Sequence, residues 1–199
     1  MIHPTLEEFR RTAKPGSLVP VHRDIVADLE TPVSAYMKLS AGQRYSFMLE
    51  SVEKADTIGR YSFLGANTSI VLKSKGRQIT ITRDGKESTF ESDDPLGELK
   101  KLMDQFHPVK VDGVPGFHGG AVGYMSYDQV RFFEKLPDNN PDTLGLPDLY
   151  FMITDTILIF DHVNNLLKIV SNAHVENDVD AAYSDAVRKI DAISAAIKR

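Results

Sequence analysis

Cysteine is absent from the 199-residue chain, and so is tryptophan. The first absence excludes disulfides, thiolate catalysis and Cys-ligated zinc or iron–sulfur centres. Long apolar runs are missing as well. No stretch reaches the roughly 20 residues that span a bilayer, and the opening MIHPTLEEFRRTAK lacks the apolar core of a signal peptide. Basic charge is not in excess: the net charge is −5, and no Lys/Arg cluster stands out. This argues against partners such as nucleic acid or an anionic membrane. A soluble, cytoplasmic protein is expected, and a reducing compartment is compatible with the missing cysteines.

Signatures of catalysis are scarce too. There is no G-x-S-x-G, no S-x-x-K with matching partners, and no H-x-x-x-H or H-E-x-x-H. The six histidines, at 3, 22, 107, 118, 162 and 174, are scattered, so a helical metal site is unsupported. His118 draws notice only because it stands among glycines. That stretch, Gly116 to Tyr124, is neither a phosphate loop nor a G-x-G-x-x-G fingerprint. It reads as a strand whose missing side chains let another backbone come close. Asp93-Asp94 precedes a helix, where the macrodipole accounts for the acids.

What is present is a chain with 42% hydrophobic residues, enough for a sizeable core. Thr5 and Glu8 have capping-box spacing and open a helix to Lys14. Thr31-Pro32 opens a second, with Val33, Tyr36, Met37 and Leu39 as its buried side. From Tyr45 to Phe90 the pattern is β, with turns at Lys75-Gly76 and Asp84-Gly85. Pro95 to about Phe106 reads as a helix burying Leu96, Leu99, Met103 and Phe106. The segment KLPDNNPDTLGLPD is a surface loop. LYFMITDTILIFDH and LLKIVSNAH flank a hairpin turn at 163–165. A last helix from Val179 carries Ala182, Tyr183, Ala186, Ile190, Ile193 and Ile197 along one side; it packs back on the chain or meets something else. The class is α+β, antiparallel meanders with flanking helices.

One strand end stands apart. In YSFMLES, Tyr45, Phe47 and Leu49 share one face and Ser46, Met48 and Glu50 the other, and Ser51 begins a turn. Arg60 returns alongside. A carboxylate, a hydroxyl and free strand-end amides suit the ammonium and carboxylate of an amino acid. Equally, Glu50 pairs with Arg60 across a hairpin and Ser51 caps its turn. On the residues alone both readings stay open.

Four segments carry a resemblance: TPVSAYMKL, MLESVEKADTIGRYSFLG, DDPLGELKKLM and GFHGGAVGYMSYD. They stand in the order and approximate spacing of the anthranilate synthase component I family, and the chain resembles its N-terminal region over nearly the whole length. LES…GRYSFLG together with GGAVGYMSYD is specific to chorismate-utilising synthases. The resemblance implies a two-sheet sandwich with flanking helices. It also implies a lyase that makes anthranilate and pyruvate from chorismate and ammonia, with Mg²⁺. A glutamine amidotransferase subunit supplies the ammonia, and L-tryptophan is the feedback inhibitor. In the family the LES segment belongs to the tryptophan site, here Leu49, Glu50 and Ser51, with Arg60 as a supporting residue. The catalytic and Mg²⁺ residues of the family are expected in a C-terminal portion not contained in these 199 residues, so no catalytic residue carries over and the chain is expected to be inactive alone. The alternatives are aminodeoxychorismate synthase component I, a relative of the same layout, and a non-enzymatic amino-acid-binding module that buries the isoleucines of its last helix internally.

Overall fold

The computed structural model describes residues 1–50, 59–66, 68, 70–137 and 139–198. In chain order the elements are β1 (Ile2–His3), α1 (Leu6–Thr12), β2 (Ser17–Val26), α2 (Pro32–Ser40), β3 (Ser46–Glu50) and β4 (Tyr61–Ala66). Then come β5 (Ile70–Lys75), β6 (Gln78–Arg83), β7 (Lys86–Glu91), α3 (Pro95–Met103), β8 (His107–Pro108) and β9 (Gly120–Met125). A 3₁₀ turn at Tyr127–Phe132 precedes β10 (Leu149–Thr154), β11 (Thr156–Asp161), β12 (Leu166–His174) and α4 (Val179–Ile197). The chain divides into two compact units. The first is Met1–Thr68, Phe106–Gly120 and Thr154–Arg199; the second is Ser69–Gln105 and Ala121–Ile153.

The first unit is a sheet of order β1-β2-β12-β11-β4-β3, antiparallel throughout, with β8 added in parallel beside β2. One face carries Val19, Val21, Leu64, Leu158, Phe160, Leu167 and Ile169, all buried against Phe9 of α1, Ala35 of α2 and Ala186, Ile190 and Ile197 of α4. The capping box at Thr5 is present, with the Thr5 amide donating to Glu8 Oε2 at 2.8 Å. Thr31 likewise caps α2, whose first helical residue is Pro32.

The buried side of α2 differs from expectation. Val33 and Met37 are exposed, while Ala35 is fully buried and Tyr36 and Leu39 pack on the core. Positions 33 and 37 form one i,i+4 row of the helix, and the sheet receives the neighbouring row, where the small Ala35 permits close approach. α4 packs back on its own sheet: Ile190 is 0% exposed and Ile197 5%. Asp178 caps its start through the Ala181 amide (2.9 Å), and Lys38 of α2 donates to the Ile197 carbonyl at its end (2.7 Å). Terminal carbonyls of a helix lack intrahelical donors, and the lysine satisfies one of them.

The second unit is a five-stranded sheet of order β7-β6-β5-β10-β9. The Asp84-Gly85 turn takes positive φ at both residues, 49° and 78°, the geometry of a tight hairpin turn. In β9 the close approach expected of the glycines is real. A Cβ on Gly123 would stand 1.8 Å from the Tyr150 carbonyl oxygen. The loop before β10 is anchored by Lys75, which donates to the Leu146 carbonyl at 2.9 Å, and by the Gly76 amide, which donates to Asp148 at 2.7 Å.

Two further readings need correction. α3 ends at Met103 and buries Leu99 and Leu102, while Leu96 is more than a third exposed; Phe106 lies beyond the helix and meets His174 edge-on. LYFMITDTILIFDH is two strands, broken at Asp155, with β10 in one sheet and β11 in the other. Both halves on either side of Thr154-Asp155-Thr156 are apolar, so hydropathy does not tell that they join different sheets.

Candidate functional site

The edge of the first sheet gathers the polar residues of interest. β3 is the outermost strand, and Glu50 at its end lies opposite Ser62 of β4. Ser62 is almost fully buried, and its Oγ stands 2.8 Å from His162 Nε2 and 3.4 Å from Glu50 Oε1. His162 follows β11, and its backbone amide donates to the Arg60 carbonyl at 2.9 Å. Antiparallel register thus brings His162 to Ser62, 100 residues away in the chain, and to Glu50 beyond it.

Arg60 does not pair with Glu50. Its guanidinium makes a two-point contact with Asp161, Nε to Oδ1 at 3.1 Å and Nη2 to Oδ2 at 2.7 Å. The hydrogen bond from Arg60 holds the Asp161 carboxyl down to about 2, outweighing burial, which pushes the other way; Asn164 adds to the lowering through its amide groups. Among the described residues Glu50 is left without an ion-pair partner. Leu49 is 44% exposed and lies opposite Phe63, whose ring meets Phe117 edge-on at 5.1 Å. Ser51 lies outside the described residues.

His118 has a structural explanation. Its Nδ1 is 2.8 Å from Asn172 Oδ1, and the Asn172 amide donates to the carbonyls of His118 (2.7 Å) and Asp155 (3.0 Å). The buried amide is thereby fully used, as a buried polar group must be. On the same sheet Lys168 and His22 both contact Asp24. Burial opposes the ionised form there, but the bonds from His22 and Lys168 win and hold Asp24 at about 2. Among the described residues no group of three or more His, Asp or Glu side chains converges as a metal site. The described carboxylates and imidazoles therefore do not assemble into an Mg²⁺ site.

The sequence singled out Leu49, Glu50 and Arg60 but not Asp161, Ser62 or His162. The available signal was the Phe160-Asp161-His162 end of an apolar run, which becomes meaningful only once β11 is known to pair with β4.

Residues 44–198 match the chorismate binding enzyme family. The chain belongs to that family. This chorismate binding family member is 37% identical over 97% of its length to anthranilate synthase component 1 of Acetivibrio thermocellus, covering 39% of that protein. To the Aquifex aeolicus anthranilate synthase component 1 it is 34% identical over 92% of the chain and 37% of the relative. The Synechocystis anthranilate synthase component 1 gives 37% over 96%, and 38% of its own length. The chain therefore spans less than two fifths of the curated relatives it matches. The crystal structure of anthranilate synthase component I from Streptococcus pneumoniae TIGR4 superposes with a TM-score of 0.54 at 22% identity, covering 86% of this chain and 36% of that one. That similarity places the fold: mixed α and β, with antiparallel sheets and flanking helices.

Among the described residues no helix is long and apolar enough to cross a membrane.

Proposed function

We propose that this chain is the effector-binding portion of an anthranilate synthase large subunit, and that the strand end at Leu49-Glu50-Ser51 receives L-tryptophan. Support for the branch comes from relatives at 34–37% identity that carry the anthranilate synthase component 1 name. The observation that carries the site is Glu50: an exposed carboxylate at a sheet edge, without a cation partner among the described residues because Arg60 is engaged by Asp161. Such a carboxylate suits an α-ammonium group, and a charge-assisted hydrogen bond contributes more than a neutral one. The Ser51 hydroxyl would serve the ligand's carboxylate.

The whole enzyme would convert chorismate and glutamine-derived ammonia into anthranilate and pyruvate with Mg²⁺, beside an amidotransferase subunit. This portion regulates and has no activity alone. Tryptophan acts by binding one global state better than another, so its contacts need not touch chorismate.

The test is a titration with L-tryptophan, followed by indole emission and by thermal stability. The chain has no tryptophan of its own, so the ligand's signal is unmasked. Ligand bound only by the folded state adds RT ln(1 + [L]/Kd), about 2.7 kcal/mol at a hundredfold excess over Kd. Saturable binding that both Glu50→Gln and Ser51→Ala weaken about tenfold or more supports the reading. Binding indifferent to both substitutions overturns the site. Anthranilate formed by the chain alone from chorismate, ammonium and Mg²⁺ overturns its inactivity.

A further inference from the structure

Ser62 holds one hydroxyl proton and faces two partners, His162 Nε2 at 2.8 Å and Glu50 Oε1 at 3.4 Å. Neither carboxylate nor lone-pair nitrogen brings a proton, so the hydroxyl can serve only one of them at a time. When Nε2 carries no proton, Ser62 donates to His162 and turns its lone pairs toward Glu50. When Nε2 carries a proton, His162 donates to Ser62, and the serine proton is released to Glu50. The two states differ at the carboxylate by a hydrogen bond and, once the imidazole is charged, by a nearby positive charge.

We propose that Ser62 is a positioning residue that relays the protonation of His162 to Glu50, so that ammonium capture at this edge weakens as His162 becomes charged. This rests on the reading of Glu50 as the ammonium acceptor. Both consequences of protonation act in one direction. The serine hydrogen bond occupies a carboxylate lone pair, and the imidazolium repels a second cation. Ser62 is almost fully buried, so water does not readily replace it as the intermediary.

Among the described residues the neighbouring charged and titratable groups have partners of their own; on β12, which pairs with β11, Lys168 binds Asp24. Arg60 and Asp161 bind one another. On α2, which packs on β3 and β4, the Tyr36 hydroxyl is held by Ser46 at 2.8 Å and Lys38 by Glu30 at 2.5 Å. Tyr61, the neighbour of Ser62 on β4, lies under the Arg60 guanidinium. Imidazole is the side chain whose charge changes between about pH 5 and 8.

The experiment measures Kd for L-tryptophan from pH 8 to pH 5, alongside the His162 ring signals in ¹⁵N-histidine-labelled protein, assigned with His162→Gln. Expected is a Kd that rises about 3- to 10-fold toward pH 5, the range of one hydrogen bond. Ser62→Thr keeps this slope, whereas Ser62→Ala and His162→Gln remove most of it. Without ligand, Glu50→Gln moves the His162 titration midpoint, and does so far less in a Ser62→Ala background. A full slope surviving in Ser62→Ala overturns the relay, as does a His162 midpoint indifferent to Glu50→Gln. If the chain binds no tryptophan at any pH, the ring signals still decide: Ser62-dependent coupling supports the relay while the effector reading falls, and absent coupling overturns the relay.

Discussion

Arg60 and Asp161 grip one another at two points across the end of β4 and β11, at 3.1 and 2.7 Å. The aspartate is largely buried, with only 12% of its side chain exposed, while the arginine is nearly half exposed. Their planar fit fixes the strand register just where Glu50, Ser62 and His162 meet.

Removing the cation is therefore expected to cost more than removing the anion. Arg60→Ala leaves the Asp161 carboxylate without its guanidinium and should destabilise by about 1–3 kcal/mol. Asp161→Asn keeps a side-chain oxygen to accept from the Val163 and Asn164 amides and should cost less. Urea unfolding of both variants checks the order.

Acid should weaken the fold through Asp161 and Asp24. Both carboxyls are depressed to about 2 in the folded protein from an ordinary 3.8. A depressed pKa contributes stability that is complete above the unfolded value and is lost as pH falls from there through the folded one. The loss should run from about pH 5 down to 2 and amount to about 1–2 kcal/mol for Asp161. In Asp161→Asn the stability-versus-pH curve should be flatter over that window.

Gly123 is tightly constrained by backbone. A methyl group there meets the Tyr150 carbonyl oxygen at 1.8 Å and the Phe151 Cα at 2.8 Å, both backbone atoms. Gly123→Ala is expected to force β9 from β10 and cost about 1–3 kcal/mol or more. Faster hydrogen exchange of the Tyr150 and Phe151 amides, with the first unit's sheet unchanged, is the signature.

Ile190 locks α4 to its sheet, with no exposed surface. Ile190→Ala should cost about 2–5 kcal/mol by leaving a cavity. The solvent-side Val33→Ala should cost under 1 kcal/mol. Thermal melts that rank these variants otherwise contradict the packing.

Much of this was legible in the sequence because the causes are local. The capping box at Thr5 and Glu8, the Thr31-Pro32 helix start, the Asp84-Gly85 turn and the stripe of α4 each depend on residues a few positions apart. The resemblance at LES and GRYSFLG likewise pointed to the strand end, and the family match bears out the kinship. What the sequence could not decide was which surfaces meet. Helical phase alone assigned Val33 and Met37 to the buried side of α2 with Tyr36 and Leu39, and the sheet beneath it took Ala35 in their place. Thr154-Asp155-Thr156 interrupts the apolar run where β10 gives way to β11, but strands buried in either sheet look alike, so the sequence did not tell that the two halves join different sheets. The partner of Arg60 was decided in the same way. Local sequence offered Glu50, but pairing of β4 with β11 delivered Asp161 from 101 residues away and set Ser62 against His162. Periodicity fixes which way a side chain leaves its own strand, and only strand order and register determine what it finds there.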